Sequence, residues 1–193
     1  MTKQNEIKKL FEISKDTIEK SESLGKIIEQ VSNKILVSLQ RGKKIIIFGN
    51  GGSAADAQHM AAELIGKYLK ERKSYPAIAL TTDSSILTAL GNDYNFDIVF
   101  SRQCEALVNK GDVVFGISTS GNSQNVINGI KTAKKNGAVT VSLTGGTGGK
   151  LKKLSDYTII SPSNKTPHIQ ESHRTIIHII CELTEDELTK RKS

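Results

Sequence analysis

A chain of 193 residues, 37% apolar and 24% charged, has the composition of an ordinary single globular domain and is short for a separate catalytic domain. Its net charge of +7 is spread over Lys8-Lys9, Lys43-Lys44, Lys134-Lys135, Lys152-Lys153 and the Lys190-Arg191-Lys192 tail. With few aromatics and no dense basic stripe, that spread argues against nucleic-acid binding. The start is polar and no apolar run reaches membrane length, so a cytoplasmic protein with no membrane partner is expected. Cys104 and Cys181 fall in no metal or redox spacing and read as reduced, buried thiols.

Residues 4 to about 41 predict two amphipathic helices. The first carries Ile7, Leu10, Phe11 and Ile18, with Ser14 interrupting the stripe; the second carries Leu24, Ile27, Ile28, Val31, Ile35 and Leu36. Nothing in them is chemical, and they suit packing or oligomerisation. From Lys43 onward strands alternate with helices. Strands are predicted at 43–48, 76–80, 112–117, 138–143 and 156–160. Helices are predicted at 53–69, 84–91, 97–109, 123–136, near 148–154, and from about 168 to 190. Short apolar strands separated by helices specify a parallel sheet covered on both faces, in one domain spanning 1–193. Such sheets bind ligands outside the carboxyl ends of their strands.

Two strands run into small-residue turns at that edge. Ile45–Phe48 leads into Gly49-Asn50-Gly51-Gly52-Ser53, and Val113–Ile117 into Ser118-Thr119-Ser120-Gly121-Asn122-Ser123. Glycine lets backbone approach a ligand, hydroxyls add donors, and a helix start offers free N–H groups, a combination suited to a phosphate ester. A sugar phosphate gripped at one end and held by its hydroxyls along its length is the natural occupant. Gly49-x-Gly51-x-x-Ala54 with Asp83 also fits a relaxed dinucleotide fingerprint, but leaves the second loop unexplained. Gly145–Lys150 fails as a P-loop, because Leu151 stands where a hydroxyl must bind magnesium.

His59 and Glu63 lie one turn apart on a helix of small and apolar residues, where a buried carboxylate needs a partner and a metal would be one. The last helix carries His168, His173 and His178. A lone histidine on an apolar face is ordinarily a core residue, and these three cluster. Gln170 and His178 are separated by about 12 Å along the axis. One ion reaches both only if Gln170 extends down the helix or the two come from different subunits. Gly91-Asn92-Asp93 reads as a helix stop, or as a place where Asp93 binds sugar hydroxyls.

The runs Gly49–His59, Gly91–Asp93, Gly116–Ser123 and Ile169–His173 closely resemble the sedoheptulose 7-phosphate isomerases (phosphoheptose isomerases) of the SIS, or sugar isomerase, domain family. The likeness covers nearly the whole chain in order. It implies a five-stranded flavodoxin-like sheet, a homotetramer with shared active sites and one zinc per subunit. It implies an intramolecular oxidoreductase that converts sedoheptulose 7-phosphate to D-glycero-D-manno-heptose 7-phosphate, the first step towards nucleotide-activated heptose. The implied metal ligands are His59, Glu63, Gln170 and His178, with Glu63 and His178 catalytic. The implied substrate contacts are Asn50, Gly51, Gly52, Ser53, Glu63, Asn92, Asp93, Ser118, Thr119, Ser120, Ser123 and Gln170. His168 stands where the family usually has arginine, and Lys67 where some members do. The competing functions are a non-catalytic SIS protein that acts by binding, which should lack the full ligand set, and an isomerase of another sugar phosphate.

Overall fold

The computed structural model describes residues 2–190, so Met1 and the tail from Arg191 lie outside the described residues. Five strands, β1 (Ile45–Gly49), β2 (Ala77–Ala79), β3 (Val113–Ile117), β4 (Val139–Gly145) and β5 (Tyr157–Ser161), form one sheet in the order β2-β1-β3-β4-β5. Every pairing is parallel, as the alternation of apolar strands and helices requires. The order is flavodoxin-like and reverses direction between β1 and β3, which opens a crevice at their carboxyl ends.

Alternate strand residues build two cores. Ile45, Ile47, Val113, Phe115 and Ile117 face α2 (Gly25–Gln40), α3 (Gly52–Ile65) and α8 (Thr166–Lys190). Ile46, Phe48 and Val114 face α5 (Val99–Leu107) and α6 (Gln124–Lys135). Two short helices, α4 (Ser84–Asp93) and α7 (Leu151–Leu154), complete the second layer. Cys104 and Cys181 are buried and unbridged, and burial pushes both thiols up to about 12, which leaves them unreactive at neutral pH. Asp83, the carboxylate that the dinucleotide alternative needed, caps α4 by accepting the Ile86 N–H at 2.9 Å.

The first helix, α1 (Lys3–Ser21), packs on α8 in a way its apolar stripe does not suggest. Its inward face is hydroxylic. Thr17 and Ser21 are buried, Ser21 Oγ meets Ser172 Oγ at 2.9 Å, and Ser14 Oγ meets His168 Nδ1 at 3.3 Å. Ile7, Leu10 and Phe11 face outward at 54, 53 and 72% exposure. Ser14 therefore belongs to the packed face and does not interrupt it.

Helix α3 ends at Ile65, four residues short of the predicted limit, because a buried ion pair takes over the chain beyond it. Glu185 accepts the N–H groups of Tyr68, Leu69 and Lys70 at 3.0, 2.7 and 2.9 Å and pairs with Arg72 Nε at 2.8 Å. Arg72 in turn donates to the carbonyls of Glu63, Leu64 and Gly66, closing the helix end, and stacks over Tyr75. Both side chains are almost fully buried, at 4 and 2% exposure. Burial alone pushes the Glu185 carboxyl up, but the three backbone donors and Arg72 outweigh it and hold it below its ordinary value. Glu185→Gln leaves the Arg72 charge buried and should cost about 3 kcal/mol, or roughly 6–12 °C in Tm. Because the native carboxyl is depressed, its contribution is complete above the unfolded value and is lost as pH falls through the folded one. Thermal unfolding of both proteins across acidic pH should show the gap closing; a gap independent of pH would refute this role.

Candidate active site

The first loop is shaped by two glycines. Gly51 adopts φ 55° at the start of α3, a conformation that favours glycine. A Cβ on Gly52 would collide with the Gln170 side-chain amide, so that amide lies directly against the start of α3. Asn50 and Asn125 exchange two amide bonds, at 2.8 and 2.9 Å, which tie the loop to the start of α6. Ser53 is buried in the first turn of α3. Nothing in the sequence marks Asn125 as the partner.

The second loop joins β3 to α6. Ser118 Oγ meets Ser123 Oγ at 2.9 Å, and Ser120 Oγ accepts the Asn122 N–H at 3.2 Å. Ser123 occupies the N-cap position with no side-chain cap bond; Asn125 Oδ1 accepts the Val126 N–H at 2.9 Å, which leaves the first two N–H groups of α6 for an anion. The Gly145–Lys150 turn folds back here, with the Lys150 N–H donating to Asn122 Oδ1 and the Gly145 N–H to the Thr119 carbonyl.

Below the first loop, α3 and α8 run parallel and in register. Gly52 meets Gln170, Asp56 pairs with Arg174 (2.9 Å to Nε and 2.7 Å to Nη2), and His59 meets His178. These residues follow helical spacing on each partner, 52-56-59-63 against 170-174-178. At the lower end the two histidine Nε2 atoms lie 2.8 Å apart, and Glu63 Oε1 is 3.4 Å from that of His59. One donor atom from each of His59, Glu63 and His178 lies within 4.8 Å of the others, which makes a possible metal-binding triad. Burial, reinforced by the Arg174 charge, holds His59 below its ordinary value despite Glu63, so its imidazole keeps a lone pair at neutral pH. The Tyr68 ring lies 5.8 Å from that of His178, held by the Glu185 anchor.

The other histidines do different work. His173 is fully buried, with Nε2 at 2.9 Å from the Thr144 carbonyl, and burial lowers it towards the neutral form. His168 lies between Ser14 and Glu171 and binds α1 to α8. Lys67 pairs with Glu71 on the surface. Asn92 and Asp93 close α4, exposed and bonded to each other at 2.8 Å; among the described contacts nothing joins them to either loop. The sequence reading missed Asp56 and Arg174, although Arg174 stands one turn from both Gln170 and His178.

The SIS domain profile matches residues 7–145, close to three quarters of the chain. The chain belongs to the SIS domain family. It is 56% identical over 184 residues to a phosphoheptose isomerase from Sulfurimonas denitrificans, covering 95% of this chain and 93% of that protein. Solved phosphoheptose isomerases from Neisseria gonorrhoeae and Francisella tularensis superpose with TM-scores of 0.91 and 0.93, at 42 and 34% identity. Each alignment covers 96% of this chain and 100% of the other. Within this SIS domain His59, Glu63 and His178 meet in a single chain. Convergence of these three residues therefore needs no second subunit. Axial spacing along α8 separates His178 from Gln170, but the parallel register places each against its own part of α3. Mixing inactive Glu63→Gln and His178→Ala proteins, with subunit exchange verified, should therefore restore no turnover. Recovered activity would show the pair acting across an interface.

Proposed function

We propose that the chain is a sedoheptulose 7-phosphate isomerase that forms D-glycero-D-manno-heptose 7-phosphate, the first step towards nucleotide-activated heptose and glycans such as lipopolysaccharide. The observation that carries this reading is the His59–Glu63–His178 cluster lying two helical turns below a pair of phosphate-type loops. An acid/base group and an anion grip separated by the length of a sugar chain are what an aldose–ketose isomerase of a terminal phosphate needs. The relatives named phosphoheptose isomerase support the same choice. A protein acting by binding alone has no use for the cluster.

Ser118, Thr119, Ser120 and Ser123, at the uncapped start of α6, hold the phosphate. Gly51, Gly52, Ser53 and Gln170 line the path from loop to cluster, with Asn50 holding the loop through Asn125, and Asn92 and Asp93 take sugar hydroxyls. Isomerisation moves a hydrogen from C1 to C2 through an enediol. Glu63 takes the proton from C1 as the C2 oxygen gains one; the enediol then loses its O1 proton as C2 is reprotonated. His178 relays the proton between the two oxygens through Nε2 while that atom is off the ion. Glu63 Oε1 faces His59, which leaves its second oxygen for the carbon proton.

Two facing imidazole nitrogens beside a carboxylate oxygen are a donor set suited to zinc. His59, Glu63 and His178 would hold one ion per subunit, and Gln170 joins them if its side chain extends down α8. Such an ion would supply Lewis-acid polarisation of the carbonyl. The outward Ile7, Leu10 and Phe11 on α1, with Ile179 and Leu183 exposed on α8, supply apolar surface for a homotetramer. The chain is read as one SIS domain, 1–193, with 1–41 as its assembly segment. No helix among the described residues is long and apolar enough to cross a membrane. That is consistent with a cytoplasmic enzyme whose substrate is a small phosphate.

Purified protein incubated with sedoheptulose 7-phosphate should yield an aldoheptose phosphate visible by NMR. Glu63→Gln should lower kcat by at least about 100-fold with little change in KM, since shape is kept and the base is lost. No aldose from the native protein, or an active Glu63→Gln protein, would overturn the reading.

A further inference from the structure

Arg174 has no part in the cluster or the loops, yet it lies between them. On α8 it is one turn from Gln170, whose amide lies against Gly52, and one turn from His178. It stands midway along the roughly 12 Å of helix that separates Gln170 from His178, near enough to His59 for its charge to act on that imidazole. Its side chain is 40% exposed, whereas its partner Asp56 is 4% exposed. Nε and Nη2 both bond Asp56 Oδ1, which spends one edge of the guanidinium. Nη1 makes no hydrogen bond among the described residues, so N–H donors remain on an exposed part of the group. The opposite end of the pair is over-supplied with acceptors, since Asp56 Oδ2 is buried and bonds nothing among the described residues. A buried carboxylate with one countercharge fixes that countercharge in place.

We propose that Arg174 is a substrate-binding residue of the active site, donating N–H bonds to the sugar oxygens next to the reacting carbons, and that buried Asp56 positions it. The proposal rests on the isomerase reading of the same cleft. Charge grows on the C1 and C2 oxygens as the enediol forms, and a fixed guanidinium fork stabilises that charge more than it stabilises the neutral ketose. Its removal should therefore appear in kcat and less in KM. A role confined to packing α3 on α8 predicts instead a loss of stability with turnover per folded molecule intact.

The test uses the native protein, Arg174→Ala, Arg174→Lys and the double variant Asp56→Asn with Arg174→Ala, which removes both charges and leaves no unpaired carboxylate in the core. Kinetics with sedoheptulose 7-phosphate, bound metal and Tm are measured on each. Expected is a kcat about 100-fold lower for Arg174→Ala and for the double variant, with KM within about threefold and metal content unchanged. Arg174→Lys should recover part of the loss, and guanidinium ion at sub-denaturing concentration should raise the rate of the alanine variants. A double variant that turns over like the native protein, or whose loss follows loss of metal, would overturn the proposal. A native protein that does not isomerise the substrate overturns the isomerase reading itself and takes this proposal with it.

Discussion

The site depends on one packing constraint, the parallel, in-register contact of α3 with α8. At the top the Gln170 amide lies against the Gly52 backbone. Asp56 with Arg174 sets the register in the middle, because a buried carboxylate must keep its cation. With those two contacts fixed, His59, Glu63 and His178 converge without further adjustment. A slip of one turn would pair Asp56 with Gln170 or His178 and scatter the cluster. The remainder of the domain holds this contact in place. The sheet positions α3 after β1 and α8 after β5, and the Glu185–Arg72 anchor seals the far end, close to Glu63 and Tyr68.

The division of labour between the two helices also explains why the cleft is both polar and stable. Each turns an apolar face to the sheet, with Ala57, Met60 and Leu64 on α3 and Ile176, Ile177 and Ile180 on α8. The seam between them carries Asp56, His59 and Glu63 from α3 and Gln170, Arg174 and His178 from α8. On its outer side α8 uses hydroxyls, Ser172 with Ser21 and His168 with Ser14, to hold α1. Short polar contacts there free the apolar stripe of α1 for another surface.

Much of the architecture is legible in the sequence because it rests on local signals. Apolar strands such as Ile45–Phe48 and Val113–Ile117, each followed by a Gly/Ser turn, specify a parallel sheet and the edge at which it binds ligands. The His59–Glu63 spacing is legible for the same reason, being one helical turn. What escapes is long-range pairing. Nothing local says that Arg174 meets Asp56, that Asn125 meets Asn50, or that Glu185 gathers the N–H groups of residues 68–70 and ends α3 early. The spacing of Gln170 and His178 says little by itself for a related reason. It measures distance along one helix, whereas the site is assembled across two. The stripe Ile7, Leu10 and Phe11 is read correctly as apolar, but periodicity cannot say whether a stripe faces this chain or open surface.

The most direct test of the α3–α8 register is a crystal structure of zinc-loaded protein with anomalous data at the zinc edge. One peak per subunit is expected, bounded by His59 Nε2, His178 Nε2 and Glu63 of the same chain, with Arg174 still on Asp56 above it. A peak whose Glu63 and His178 come from different chains, or no peak at these residues, would contradict it.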